Sequence, residues 1–426
     1  MTEFNADRSF AATLDAQDPL KNYRSRFHIP SHRNNPATIY LCGHSLGLQP
    51  KSVAQYVDEE LADWARLGVE GHFHAKRPWM PYHELLTGQT ARLVGAQPIE
   101  VVVMNSLTVN LHFMMVSFYR PTPARNKIVI EANAFPSDQY AVKSQIKFHG
   151  CDPAKALVEL QPREGEAFSR TDDIEAYLAR EGKSVALIML GGVNYYSGQV
   201  FDMERITRAG HSHGCIVGFD LAHAAGNIPL KLHEWDVDFA VWCSYKYLNA
   251  GPGSTAGCFV HERHAHSPDL PRFSGWWGTN KTDRFLMGPV FDPIPGAEGW
   301  QVSNPPILPL VALRASMEIF DEVGMEKIRA KSELLTGYLE FLLDQHAQSD
   351  ISVITPRDPK QRGAQLSIRV GSRGRETYEA LTRQGVICDW REPDVIRVAP
   401  IPLYNTFTEV FDFVQILSRS VDSNRS

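Results

Sequence analysis

The chain has 426 residues, long enough for two domains and a large core. Its composition, 43% hydrophobic and 22% charged, is that of an ordinary globular protein, and a net charge of −6 argues against a nucleic-acid or anionic-membrane surface. No apolar run reaches transmembrane length, the acidic start MTEFNADRSF lacks a signal-peptide core, and six cysteines without CxxC spacing point to reduced thiols in a cytosolic protein.

A short helix over 10–15 opens an otherwise polar, irregular first fifty residues. A strand over 38–42 then runs into Gly43-His44-Ser45-Leu46-Gly47, where glycines let the backbone approach a ligand or simply turn into an amphipathic helix over 51–67. Residues 71–79, GHFHAKRPW, read as a loop; His72 and His74 have no acidic or cysteine partners clustered beside them, so no metal site is expected. A helix over 82–94 follows. The apolar strand over 100–105 leads through Ser106-Leu107-Thr108 into a helix ending near 118. Its hydroxyl residues serve either as N-cap or as phosphate ligands at the positive helix end. The strand over 127–131 is followed by Asn133-Ala134-Phe135-Pro136-Ser137-Asp138, with a helix from Pro136 to about 147. Phe135 either stacks on a planar ring or staples onto that helix.

A helix over 171–180, a buried-type strand over 185–190, the loop Gly191-Gly192-Val193-Asn194-Tyr195-Tyr196 and a helix over 202–213 continue the alternation. Such alternation predicts a sheet with parallel strands, helices on its faces and functional loops at the strands' carboxyl ends. Two further apolar runs, over 215–219 and 239–243, end in Asp220 and in Ser244-Tyr245-Lys246. A lysine in an apolar cleft favours its neutral amine and can form a Schiff base with a carbonyl. An aspartate beside it can pair with a protonated pyridine nitrogen. Those are the two functions a protein must supply to pyridoxal phosphate. The same residues also suit a helix cap and a solvated strand end.

After a strand over 256–261, the cluster His261, His264 and His266 lacks zinc-motif spacing and reads as surface histidines. Residues 273–299, rich in Gly, Pro and Trp, read as a long loop lining a site or an interface. A helix over 308–323 closes the first domain. From 325 the pattern becomes a compact α+β unit: a helix to 345, strands over 351–354, 365–370, 386–389 and 395–399, and helices over 376–383 and 407–417. Arg397 lies in the last strand, either snorkelling to the surface or clamping a carboxylate. The expected division is an N-terminal segment 1–50, a large domain 51–324 and a small domain 325–426.

With these pieces in order, the chain resembles the kynureninase family. The likeness is carried by SLGLQP (45–50), KRPW (76–79), NSLTVNLH (105–112), AFPSDQYA (134–141), YYSGQ (195–199), GFDLAHAAGN (218–227), WCSYKYLNAGPG (242–253), GWWG (275–278), SNPP (303–306) and IRVAPIPLYN (396–405). It implies an α/β protein of pyridoxal-phosphate fold type I, the aspartate aminotransferase fold. A large domain would hold a mixed, mostly parallel sheet flanked by helices, beside a smaller C-terminal α+β domain. It implies a homodimer with composite active sites and a small-molecule substrate, with no nucleic acid, membrane or metal. The implied reaction is hydrolytic Cβ–Cγ cleavage of L-kynurenine or 3-hydroxy-L-kynurenine to an anthranilate and L-alanine, in tryptophan degradation and NAD biosynthesis.

The resemblance also implies roles. Lys246 is the Schiff-base lysine, Asp220 the partner of the pyridine nitrogen with His223 close by, and Tyr245 a proton donor and acceptor near the phosphate. Leu107 and Thr108 hold the phosphate. Phe135, Pro136, Ser137 and Asp138 lie around the ring, and Gly191 offers only backbone where some relatives carry serine. Trp276 and Asn304 reach cofactor or substrate across the dimer interface. Arg397 grips the α-carboxylate, while His72, Ser45 and Asn304 line the aromatic end and suit a 3-hydroxyl group. His44 replaces the family's usual asparagine at the pocket entrance. Other pyridoxal-phosphate lyases, such as cysteine desulfurases, need a reactive cysteine on a mobile loop, and no cysteine here sits in one. An aminotransferase and a non-catalytic protein on an inherited fold are the remaining alternatives.

Overall fold

A computed structural model describes residues 3–31, 38–267, 269–345, 351–371 and 373–423. Seven apolar strands form the central sheet in the spatial order Val101–Val103, Gly257–Val260, Phe239–Trp242, Ile216–Asp220, Val185–Gly191, Lys127–Glu131 and Leu157–Leu160. Only Gly257–Val260 runs antiparallel to its neighbours. Val185–Gly191, buried at every position, is a central strand covered on both faces, as an unbroken apolar run requires. On one face Leu111, Met114, Ala141 and Val142 pack against Ile128, Leu187 and Phe239. On the other, Leu178, Ile206 and Leu310 pack against Val129, Ile188 and Val217.

The turns at the strand ends are set by single residues. Asn105 and Asn133 take left-handed backbone conformations (φ 50° and 54°) just beyond Val101–Val103 and Lys127–Glu131. Asparagine tolerates that region better than any bulky residue. Each turn leads directly into a helix, Leu107–Phe118 and Pro136–Phe148.

The second unit is a four-stranded antiparallel sheet, ordered Asp389–Arg391, Val395–Val398, Leu366–Val370 and Ile351–Val353. Helices Met325–Gln345, Gly374–Arg383 and Phe407–Ser423 accompany it. The N-terminal segment joins this unit. Ile39–Tyr40 pairs in parallel with Val386–Ile387, helix Arg8–Gln17 packs on Phe407–Ser423, and Ala11, Ile39 and Leu41 enter the same core as Leu335 and Val398. Asp18 forms a buried ion pair with Lys331 at 2.7 Å.

Several local expectations change. The edge strand Leu157–Leu160 was not foreseen; its half-exposed residues show no apolar alternation. The 71–79 loop begins as a helical turn, Gly71–His74. The strand over 386–389 divides into Val386–Ile387 and Asp389–Arg391, which belong to different sheets. His261 and His264 are not surface histidines. His261 is buried beside Glu100, and His264 bonds the buried Asp238 at 2.9 Å, because Asp238 gathers His211, Arg263 and His264 around one carboxylate.

Candidate active site

The carboxyl ends of four parallel strands and two helix starts enclose a cavity of about 140 Å³. It is lined by Leu107, Thr108, Glu131, Phe135, Ser137, Asp138, Gly191, Val193, Tyr195, Asp220, Ala222, His223, Tyr245 and Lys246. The sheet thus gathers residues 139 positions apart in sequence. A larger groove of about 840 Å³ bounded by Phe168, Arg205 and Arg329 lies elsewhere, and its arginines include Arg205, paired with Glu175 and Asp172. The smaller cavity holds the chemistry.

Lys246 Nζ lies 3.1 Å from His223 Nε2 and 5.8 Å from the ring centres of both Phe135 and Tyr245. Burial, then the nearby Lys246, pushes the His223 imidazolium well below the usual histidine range, so the ring is neutral and accepts from the lysine. Its Nδ1 is buried without a partner. Asp220 accepts the Ala222 N–H at 2.7 Å. Burial raises both Asp220 and Asp138, and the neighbouring carboxyls of Asp220 and Glu131 push Asp138 the same way.

Glu131, which the sequence reading passed over as the end of a strand, is the third carboxyl. Burial lifts it to about 7, and it accepts the Gly191 N–H at 3.2 Å. Gly191's backbone donor is thus engaged by Glu131, and a β-carbon there would lie 3.0 Å from Glu131 Oε1. Burial raises the Tyr245 hydroxyl above the usual tyrosine range, with Cys243 beside it, so it stays protonated.

Two helix starts face the cavity side by side. Ser106 occupies the N-cap of Leu107–Phe118, and Phe135 that of Pro136–Phe148; neither side chain caps its helix. Thr108 Oγ1 and Ser137 Oγ are 2.9 Å apart and tie the two starts together. Uncapped amides and paired hydroxyls at positive helix ends suit a phosphate dianion. Phe135, 42% exposed, stands edge-on to Tyr195 with ring centres 5.2 Å apart, leaving a face open to a planar ring. Asp138 Oδ1 and His223 Nδ1, both buried and unpartnered, offer polar contacts. The lysine, the ionisable Asp220 and these orphaned atoms fit pyridoxal phosphate.

Behind Tyr195, Arg397 is buried. It donates to the Tyr195 carbonyl at 2.6 Å and to Asp389, while its Nε has no partner. His44 does not sit at an entrance. It is fully buried beside Asp389, because Gly43 lets the segment pack directly on Ile401 and Tyr404. Other expected residues lie outside the Lys246 cavity. Ser45 and Asn304 are exposed. His72 stands edge-on to Trp79 at 5.5 Å with Nδ1 buried and unpartnered. Trp276, 40% exposed, bonds the Arg284 carbonyl at 3.0 Å and contacts Phe285. Pro136 is the first residue of its helix.

Solved structures share this fold. A cysteine desulfurase of Escherichia coli superposes with a TM-score of 0.77 at 17% identity, covering 99% of this chain and 100% of that one. A cysteine desulfurase of Thermococcus onnurineus gives 0.76 at 17% identity, over 92% and 97%. Fold and site together define a pyridoxal-phosphate enzyme of the aspartate aminotransferase fold. A kynureninase of Koribacter versatilis is 64% identical over 97% of each chain, and one of Myxococcus xanthus is 61% identical over 97% of each. The family model described as the kynureninase C-terminal domain matches residues 328–417. The chain belongs to the kynureninase family. Four of its six cysteines are buried and two half-buried, all unpaired.

Proposed function

We propose that the protein hydrolyses the Cβ–Cγ bond of L-kynurenine and 3-hydroxy-L-kynurenine, with a preference for the 3-hydroxy compound, within tryptophan degradation and NAD biosynthesis. The observation that carries this reading is the Lys246–His223 pair in a cavity walled by three carboxyls and two uncapped helix starts. Bound pyridoxal phosphate supplies an electron sink conjugated to the substrate's α-carbon. Lys246 would hold the cofactor, and its free amine would take up and return the α-proton. Asp220 would pair with the pyridine nitrogen and keep a proton on it. Asp138 lies beside Asp220 in the same wall of the cavity. Leu107, Thr108 and Ser137 would hold the phosphate, and Phe135 would cover the ring. Water adds across the Cβ–Cγ bond, so Cγ leaves as the aromatic carboxylate and Cβ, receiving a proton from Tyr245, leaves as alanine. Arg397 orients the substrate through its α-carboxylate.

Residues 51–324 carry the cofactor in this reading, and 325–426, with the N-terminal segment packed on them, carry the carboxylate grip. A homodimer brings Trp276 and Asn304 of one protomer to the partner's cavity, and the six unpaired thiols suit a cytoplasmic setting. The unpartnered His72 Nδ1 and the exposed Asn304 amide are available to a ring hydroxyl. A site built for a hydroxyl discriminates against a substrate lacking it. Incubating holoenzyme with each substrate and following the aromatic product tests both levels. Formation of neither anthranilate nor 3-hydroxyanthranilate is the result that would overturn the activity. Equal kcat/KM values, or a higher one for kynurenine, would overturn the preference alone.

A further inference from the structure

The buried surroundings of Arg397 contain more than its own grip requires. Asp389 accepts from Arg397 and, at 3.1 Å, from Arg391. On a third side, His44 Nε2 lies 3.6 Å from the same Asp389 oxygen, beyond direct hydrogen-bond range. Both His44 ring nitrogens are buried without partners. Cys42, His44 and Asp389 offer ligand atoms within 4.8 Å of one another, but two guanidinium groups already face that carboxylate. A further cation there would be repelled.

The two guanidinium edges of Arg397 have different fates. One Nη donates to the Tyr195 carbonyl and the other to Asp389, while Nε is buried and open. An arginine side chain has many rotamers, and two fixed contacts remove most of that freedom before any ligand arrives. The Tyr195 carbonyl is itself held by Gln365 Nε2 at 2.9 Å. Asp389 is itself held by Arg391 at the same carboxylate oxygen, with the buried His44 ring packed beside it. The guanidinium, with only its Nε open, is therefore fixed by parts that belong to three segments of the chain.

We infer that Asp389, backed by His44 and Arg391, is the positioning residue that aims Arg397 at the substrate's α-carboxylate. The inference rests on the proposed role of Arg397. Two effects oppose each other when Asp389 is changed. Loss of a negative charge near the carboxylate strengthens its attraction to Arg397, whereas loss of the anchor lets the guanidinium leave its aimed position. Positioning wins because the buried, charge-assisted contact is worth more than a repulsion shared between two arginines. Burial favours the neutral His44 ring, pushed down to about 4, so it acts as a neutral backstop across the working pH range.

The test measures binding of 3-(2-aminobenzoyl)propionate to holoenzyme by calorimetry. This compound keeps the carboxylate and aromatic ketone of kynurenine but lacks the reacting amine. Asp389→Ala should weaken it at least about tenfold, Asp389→Asn less, and His44→Ala by a smaller factor that His44→Asn largely restores. KM for kynurenine should rise in the same order while kcat and cofactor affinity change little. Unchanged or tighter binding in both Asp389 variants would overturn the inference and mark Asp389 as a mere counter-charge. Arg397→Ala separates the two levels. If it leaves binding unchanged, the Arg397 reading fails; if it weakens binding while the Asp389 variants do not, only the positioning role fails. Cofactor absorbance and affinity report whether each variant is folded.

Discussion

Lys246 and Glu131 mark two extremes of what one residue contributes. Lys246 is half-buried with its amine 3.1 Å from His223, and no neighbouring side chain in the cavity offers a second amine. Lys246→Ala should therefore abolish turnover and the long-wavelength absorbance of lysine-bound cofactor, read by spectrophotometry and a product assay; retained turnover would refute the mechanism. Glu131 acts through its proton. In the unfolded chain this carboxyl ionises near the ordinary value, whereas burial holds the folded one protonated to about 7. Folded-state protonation above the unfolded value means that stability falls as pH rises between those two values and levels off above them. Glu131→Gln keeps an acceptor for the Gly191 N–H and removes the ionisation. The apoprotein variant should melt higher than wild type above pH 7, by at most about 3 kcal/mol of stability, and the gain should vanish toward pH 4. Thermal unfolding across that pH series reads the sign directly. Sequence gave Lys246 through its place after an apolar run, but no local pattern distinguishes Glu131 from any other strand-end glutamate. Its role appears only when three strand ends converge.

At the scale of elements, the SLGLQP turn is fastened to the lysine-bearing segment. The Gly47 N–H donates to the Tyr245 carbonyl at 2.8 Å, and a β-carbon on Gly47 would fall 2.3 Å from the Lys246 carbonyl oxygen. That oxygen is backbone and cannot swing away. Gly47→Ala should push the turn off the 244–249 segment, with about 1–3 kcal/mol of overpacking. The expected result is a lower melting temperature and weaker cofactor binding, both measurable on purified protein; unchanged cofactor affinity would mean that the turn does not brace Lys246. The parallel strands and their helices were legible because burial on both faces writes unbroken apolar runs, as in Val185–Gly191. Leu157–Leu160 was not, since an edge strand needs no such run. The family resemblance places His44 at the pocket entrance, yet it is buried. Its burial follows from Gly43 packing on Ile401 and Tyr404, some 360 residues further along, a contact that no local periodicity can report.

For the whole molecule, the central question is why Trp276 and Asn304 stay on the surface. Trp276, Phe285, Leu286, Met287 and Val290 are all exposed large apolar residues within one stretch of the chain. Apolar exposure of that density marks an interaction surface rather than ordinary solvent contact. Neither Trp276 nor Asn304 lines the Lys246 cavity of its own chain among the described residues. A two-fold dimer that buries this stretch would carry both residues to the partner's cavity, so each site would draw on two chains. Subunit mixing tests this without a structure. Lys246→Ala and the double variant Trp276→Ala/Asn304→Ala should each be nearly inactive as homodimers. When they are unfolded together at equal amounts and refolded, half of the dimers are mixed. In a mixed dimer with composite sites, one site combines both defects and the other is wholly native, so about a quarter of wild-type activity should return. If every site were built within one chain, each mixed dimer would hold one site lacking Lys246 and one lacking Trp276 and Asn304, and nothing would be restored. The return of activity, measured against refolded wild type and against each variant refolded alone, therefore decides whether the residues that lie outside the cavity in one chain belong to the site of another.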